Sequence, residues 1–467
     1  MRPGRSALER GAFIVIDMGK TLSKVSLWDR AGQRLGQVVR PNAPVVADGL
    51  RCCDVEGIGT WLTATLATWA SHPIEAIIPV GHGAGVAALR DDALAFPPLD
   101  YEQEIPVDVM AQYRAARDPF AVTGSPALPH GLNFGAQLWW LEQQGLLDNA
   151  KLLPWTQYWA WFLSGTAVSE VTSLGCHSDL WRPAAGAFSP LAAKLGWADK
   201  FAPMARAGDV VGTLRPEIAA ATGLSPAVRV LAGLHDSNAA LHAARGFAEV
   251  AEGEATVLST GTWFIAMRRP LGDSPALPEG RDCLVNVDLE GRAVPSARFM
   301  GGREIQLIVG EAGVDAAGDQ AALLAAVPGL LGAGAMLLPT LAAGCGPFPR
   351  HTARWIAEPQ ESLFRRAAAC LYAALIADVM LDLVGARATL LVEGRFAAAN
   401  VFVRTLAALR PETRVLVADD ETDVSFGALR LLDPALMPPA RLRQMEPLAG
   451  DFEAYRERWR STLETPA

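Results

Sequence analysis

The chain should fold as two α/β domains, each a sheet flanked by helices, and three observations carry that reading. Its 467 residues exceed what one hydrophobic core usually serves. Apolar runs of strand length alternate with helical stretches along the chain, the grammar of α/β layers. Each half also opens alike, with a strand, a polar turn and a second strand, a weak architectural duplication whose boundary falls near Gly246 to Gly253. Composition agrees, since 51% hydrophobic and 19% charged residues exclude disorder and a disulfide-stapled miniprotein. With 41 Lys+Arg against 50 Asp+Glu, a net charge of −9 and no basic run, the chain lacks the footprint of phosphate-backbone binding, so nucleic acid is not an expected partner. Six cysteines without metal-ligand spacing read as reduced thiols of a cytoplasmic protein.

Phe13 to Ile16 form a continuous apolar run, expected of a strand buried on both faces, and the run stops at Asp17. Met18 to Leu22 contain Gly19 and read as a tight turn. Lys24, Ser26 and Asp29 then alternate with Val25, Leu27 and Trp28 at strand period. A charged turn at Asp29 to Gln33 leads into a third strand, RLGQVV. A helix is expected from Ile58 to Trp69, then the strand IEAIIPV and the glycines Gly81, Gly83 and Gly85. Phe134, Leu138 and Leu141 share one helical stripe, and VRVLAGLHDSNAALHAARG runs from a strand through Gly233 into a helix that opens at Asp236. ATVLSTGTWFIAMRR repeats the opening hairpin. Ala321 to Pro349 is uncharged, but Pro328 and Pro339 divide it, so a buried loop and strand are expected there and not a membrane span. The segment from Ala388 to Asp420 reads strand, glycine turn, helix, strand, and SFGALRLL closes with a helix. The apolar stretch Ala12 to Ile16 is too short for a signal-peptide core.

Chemistry gathers in the turns. Asp17-Met18-Gly19-Lys20-Thr21 would expose backbone N–H groups to an anion, with a lysine and a hydroxyl alongside. Asp17 would repel a phosphate unless a divalent cation, normally Mg²⁺, sat between them; the same turn is also a common structural device. Ser259, Thr260, Gly261 and Thr262 make the equivalent argument in the second half, and two such turns would hold a nucleotide across a cleft. Asp236 stands where a strand's carboxyl end meets a helix start. It could accept a proton from a hydroxyl attacking a γ-phosphate, or simply cap the helix. His235 could hydrogen-bond a polyol or serve the structure. The chain carries no GxSxG, no GxxxxGK[ST] and no GxGxxG after a strand, which removes the main support for a serine hydrolase, a P-loop NTPase or a dinucleotide enzyme.

In this order, DMGKTLSK, GLHDSNAA, LSTGTW and VEGRFAAAN resemble the FGGY carbohydrate kinases of the actin-like ATPase superfamily, from about Ile14 to Leu432. The HisAsp pair and the SGTW turn look most like the rhamnulokinase and fuculokinase branch. The resemblance implies two ribonuclease-H-like (actin-like ATPase) domains with an interdomain cleft, residues 1–245 binding sugar and residues 246–467 binding nucleotide. It implies ATP and Mg²⁺, and transfer of the γ-phosphoryl to a ketose of the L-rhamnulose, L-fuculose or ketopentose type. Asp236 would be the general base and, with Asp17, face the metal. Gly19, Lys20, Thr21 and Lys24 would form the first phosphate turn, Ser259, Thr260, Gly261 and Thr262 the second, and Gly394 would lie near the adenosine. His82, Asn133, Gln137, the Trp155-Thr156-Gln157-Tyr158 stretch and His235 would build the sugar side, although each also suits core packing. The chain departs from the family pattern at Lys20, where a threonine is usual. It departs again at AAGCGPFPRH, which replaces a GERxP-like stretch, and at EGRFAAAN, which replaces a glycine-rich run. A glycerol-type polyol kinase and a catalytically silent sugar- or nucleotide-binding regulator stay open as other readings. No membrane partner is expected, and a homodimer is compatible with the resemblance.

Overall fold

The computed structural model describes residues 11–269, 276–419 and 424–464. They form two compact units, and the units do not follow a single cut of the chain. The first takes residues 11–246, then recovers 285–293 and 424–438; the second takes the rest. A division at residue 245 therefore omits two segments that return to the first unit. They return because their apolar side chains complete its core, as Phe426, Ala428 and Leu429 do.

In the first unit β1 (Ala12–Met18), β2 (Leu22–Asp29) and β3 (Arg34–Pro41) make an antiparallel ribbon. β4 (Ile74–Gly81) runs parallel to β1. Beyond it come β5 (Val210–Thr213) and β6 (Arg229–Leu231), in the order β5-β6-β4-β1-β2-β3, with β7 (Leu234–His235) also beside β4. The unbroken apolar run of β1 has a direct explanation. Phe13 and Val15 pack with Leu234, Ala239 and Phe426 on one face, while Ile14, Ile16 and Met18 pack with Leu62 and Trp159 on the other. The second face is covered by α1 (Val55–Ala67) and by α3 (Trp155–Ser164), which follows α2 (Phe134–Gln143). The first helix begins ahead of the expected Ile58 because the Asp54 carboxylate accepts from Gly57 N–H at 2.9 Å and caps it there. The first face is covered by α4 (Asp236–Ala244) and the late helix Val424–Leu429.

The second unit repeats the pairing scheme. β8 (Ala255–Thr260) and β9 (Phe264–Arg269) form the hairpin. β9 is flanked by β11 (Ala293–Phe299), with β10 (Cys283–Val287) at that edge. On the other side β12 (Thr389–Gly394) lies parallel to β8, β13 (Arg414–Ala418) parallel to β12, and β14 (Leu442–Gln444) antiparallel at the edge. Antiparallel ribbon, two parallel neighbours and one antiparallel edge therefore occur twice, the duplication visible in the sequence. α5 (Gly301–Val309) follows β11. α6 (Gln320–Ala333) corrects the loop and strand expected from Ala321, for it is a helix that carries Pro328 inside it. Buried Leu323, Val327 and Leu330 at helical spacing outweigh an interior proline's cost of about 3 kcal/mol. The strand of that expectation is present, at Met336–Leu338. α7 (Ser362–Val384) runs through this core, and α8 (Asn400–Leu409) packs on it. Among the described residues α7 is the one unbent helix long and apolar enough to cross a membrane, yet 89% of its apolar window is buried inside the protein.

Candidate active site

The carboxyl ends of β1, β4 and β7 present Asp17-Met18, Gly81-His82 and His235-Asp236. Register fixes the spacing, because Asp17 and Leu234 both pair with Val80, from opposite sides. One strand thus separates β1 from β7, which places the backbones of Asp17 and Leu234 roughly 10 Å apart, with Asp236 two residues further along. Asp236 opens α4 with its side chain 34% exposed, so a substrate can reach it. Its Oδ1 accepts from Ser237 N–H at 2.5 Å and from the Ser237 hydroxyl at 3.2 Å, and lies 3.1 Å from His235 Nε2. Those bonds hold the carboxylate by one oxygen and leave Oδ2 to an incoming hydroxyl.

His235 is buried, and its other ring nitrogen, Nδ1, meets Asn238 Oδ1 at 2.9 Å. Both nitrogens are therefore engaged by the protein, so the ring orients Asp236 and is not a sugar contact as expected. Burial opposes a charge on this imidazole. Cys176, Asp236 and Asn238 outweigh burial and raise it to about 10, so the ring supports the neighbouring carboxylate as a cation.

Asp17 and Lys24 face each other across the hairpin, Nζ to Oδ2 at 3.4 Å. The turn between them needs its glycine, since a Cβ on Gly19 would lie 2.6 Å from the Leu22 carbonyl oxygen. Asn42, a residue sequence reasoning passed over, stitches the turn by donating to the Gly19 carbonyl at 2.8 Å. Thr21 is exposed at its tip. Lys20 does not point its charge into this turn's free space, as expected of a phosphate contact. Its ammonium pairs with Asp100, lies 3.6 Å from Glu102 and sits 5.1 Å above the Tyr101 ring. Burial works against the Asp100 carboxylate, but Lys20, the Glu102 N–H and Arg51 hold it below its ordinary range.

His82 belongs to the same neighbourhood, stacked on Trp155 at 5.3 Å and edged by Tyr101 at 5.5 Å. Its Nδ1 meets the Gly83 carbonyl at 2.6 Å, which fixes the proton there and leaves Nε2 an acceptor. Burial lowers its pKa and keeps it neutral, with Lys20 and His235 adding to the effect. Gln137 is fully buried; its amide donates to Ala84 and Gly131 carbonyls at 2.9 and 2.6 Å, and its Oε1 has no partner. Asn133 instead joins a structural network with Asp179 and Leu128 N–H. Gln157 holds the Ala232 and Gly233 carbonyls, Trp155 donates to the Met18 carbonyl at 2.9 Å, and Tyr158 lies in the core. Asp100 and Tyr101, by contrast, were not singled out from the sequence, where nothing ties them to a turn 80 residues earlier.

In the second unit the hairpin turn Thr260–Phe264 is knitted to two other segments. The Thr260 hydroxyl donates to the Glu393 carbonyl at 2.6 Å and accepts from Phe396 N–H at 3.1 Å, so it ties the turn together and is not available to a phosphate. A Cβ on Gly394, whose φ is +82°, would lie 2.3 Å from the Thr260 carbonyl oxygen, and one on Gly302 would lie 2.0 Å from that of Gly261. The backbone here closes more tightly than any side chain permits. Thr262 is exposed, Gly261 and Ser259 partly so. Trp263 lies under the Arg298 guanidinium at 5.1 Å, and Arg298 is held by Asp282 at 2.6 Å. Among the described residues no cluster of three or more His, Cys, Asp or Glu stands ready for a metal.

The model of the FGGY carbohydrate kinase C-terminal domain matches residues 252–440. A solved carbohydrate kinase from Novosphingobium aromaticivorans is 62% identical, with a TM-score of 0.93 over 97% of this chain and 99% of that one. A ligand-bound xylulose kinase from Lactobacillus acidophilus superposes with a TM-score of 0.80 at 14% identity, covering 97% of each chain. A Plasmodium falciparum glycerol kinase with ADP does so with a TM-score of 0.78 at 11% identity, covering 97% of this chain and 98% of that one. A search of curated proteins finds no match.

Proposed function

Because the chain belongs to the FGGY family of carbohydrate kinases, and is therefore a phosphotransferase with an alcohol acceptor, we propose that it phosphorylates a ketose of the L-rhamnulose, L-fuculose or ketopentose type, with Asp236 as general base. The family implies ATP as the donor. The observation that carries the reading is the one-sided anchoring of Asp236, whose Oδ1 is bonded to Ser237 and His235 while Oδ2 is left to a substrate hydroxyl. A carboxylate so held accepts a proton without reorienting. His82 Nε2 and Gln137 Oε1 add acceptors for sugar hydroxyls, and neither carries a charge that would call for an acidic substrate.

Asp17 would face Mg²⁺, which takes one or two carboxylates and otherwise keeps water and phosphate oxygens, whereas Asp236 has Oδ1 committed to Ser237 and His235 and Oδ2 to the acceptor hydroxyl. When bound, Mg²⁺ would neutralise charge between the phosphates. Thr21 in the first unit and Thr262 in the second are each exposed, and each hydroxyl by itself suits a phosphate oxygen. Reduced cysteines support a cytoplasmic enzyme.

A coupled ADP-release screen over ketopentoses, 6-deoxyketohexoses, aldoses, aldonates and glycerol tests the proposal. A ketose should give the highest kcat/KM. Preference for glycerol, an aldonate or an aldose over every ketose would overturn the acceptor assignment.

A further inference from the structure

We propose that Glu170 is a positioning residue for the Asp236 base, acting through the Thr172 hydroxyl and the His235 backbone; the inference rests on the reading of Asp236 as base. Glu170 is fully buried at the head of the short helix Val171–Leu174. Its Oε2 accepts from Thr172 N–H at 3.0 Å, from Ser173 N–H at 3.2 Å and from the Thr172 hydroxyl at 2.5 Å. A hydroxyl has one proton, and here that proton goes to Glu170 Oε2. The Thr172 oxygen is thereby turned into an acceptor, and it receives His235 N–H at 3.0 Å.

That N–H belongs to the residue just before the base. β7 is two residues long and pairs with β4 at Leu234 and His235 alone, so the ladder gives the end of the strand little support. The bond from His235 N–H to the Thr172 oxygen supplies the missing anchor. The His235 ring then engages Asp236 Oδ1 and Asn238, and Asn238 in turn donates to the Val287 carbonyl. The strand-to-helix junction is thus fixed from two sides, by Thr172 at the main chain and by Asn238 at the ring. Glu170 touches neither sugar nor nucleotide in this arrangement. Its effect reaches the base only by directing one hydroxyl proton.

Displacing a reacting group by a fraction of a bond length lowers turnover more than binding. Four variants of the full chain are compared, Thr172→Val, Thr172→Ser, Glu170→Gln and Asp236→Asn, by steady-state kinetics with the best ketose, ADP titration calorimetry and thermal melting. Thr172→Val should lower kcat by about 10- to 100-fold, with KM for the ketose and ADP affinity changed less than about threefold. Thr172→Ser, which keeps the hydroxyl, should restore most of the loss. Glu170→Gln should lower kcat in the same sense. If Thr172→Val melts before assay, a kcat deficit in Glu170→Gln with unchanged ADP affinity supports the proposal, and wild-type kcat there contradicts it. Wild-type kcat in both Thr172→Val and Glu170→Gln, while Asp236→Asn is inactive, overturns the positioning role and spares the base. Full activity in Asp236→Asn overturns the base itself.

Discussion

Lys20 is one of the places at which chain and family pattern part, and its surroundings decide what it does. The ammonium is paired with Asp100, near Glu102 and over Tyr101, on the side of the site where His82 stands. Restoring the usual threonine with Lys20→Thr should therefore raise KM for the sugar roughly tenfold, about 1.4 kcal/mol, and leave KM for ATP nearly unchanged. A rise confined to KM for ATP would return Lys20 to the phosphate turn. Asp17 gives a complementary expectation. Its carboxylate is acceptor-only, and Asp17→Asn should weaken the Mg²⁺ dependence of ATP binding in calorimetric titrations. Equal Mg²⁺ dependence in both proteins removes Asp17 from the metal's neighbourhood.

Among the elements, α4, which opens with the proposed base Asp236, is held by a segment nearly two hundred residues downstream. Gly427 lets the helix Val424–Leu429 approach α4 so closely that a Cβ would stand 1.8 Å from the Ala239 carbonyl oxygen. Gly427→Ala should cost about 1–3 kcal/mol or more of stability and lower kcat through α4, as read by melting and by turnover below the transition. Unchanged melting would mean the helices separate without penalty. The contact also marks a limit of sequence reading. β1, β2 and the turn at Gly19 were legible because a hairpin is local and its hydrophobic run is continuous, and Asp236 was legible because a strand and a helix meet at it. The Lys20–Asp100 pair, the return of residues 424–438 to the first unit and the commitment of both His235 nitrogens depend on residues distant in sequence, and no local pattern announces them. The Thr260 hydroxyl illustrates the same limit: its residue type suits a phosphate, but the carbonyl of Glu393, 133 residues on, has taken it.

For the whole molecule, two buried carboxyls contribute to how stability responds to pH. Burial pushes Glu393 up to about 8 and leaves its Oε2 without a partner. Burial likewise raises Glu170 to about 7 against the bonds from Thr172 and Ser173. From about pH 4.5 upward the folded chain retains protons that the unfolded chain has released. These groups therefore favour the fold fully below about pH 4.5, and that contribution is lost as pH rises through about 7 and 8. Each pH unit of displacement is worth about 1.4 kcal/mol, so Glu393→Gln should melt higher than the parent at about pH 8.5 and lose that advantage near about pH 5. A difference in melting that is the same at both values would show that Glu393 does not titrate with folding.

On the proposed reading, transfer depends on one oxygen, Asp236 Oδ2. The most direct measurement is ketose-dependent ADP release by Asp236→Asn beside the parent enzyme, with ADP affinity measured on the same preparations. Removal of a general base lowers turnover by about 10²- to 10⁴-fold, and the substitution keeps the shape of the side chain, so ADP should bind both proteins alike while ketose-dependent release falls by that factor. Turnover near the parent's, with ADP bound equally well, would contradict the assignment of Asp236 as the base.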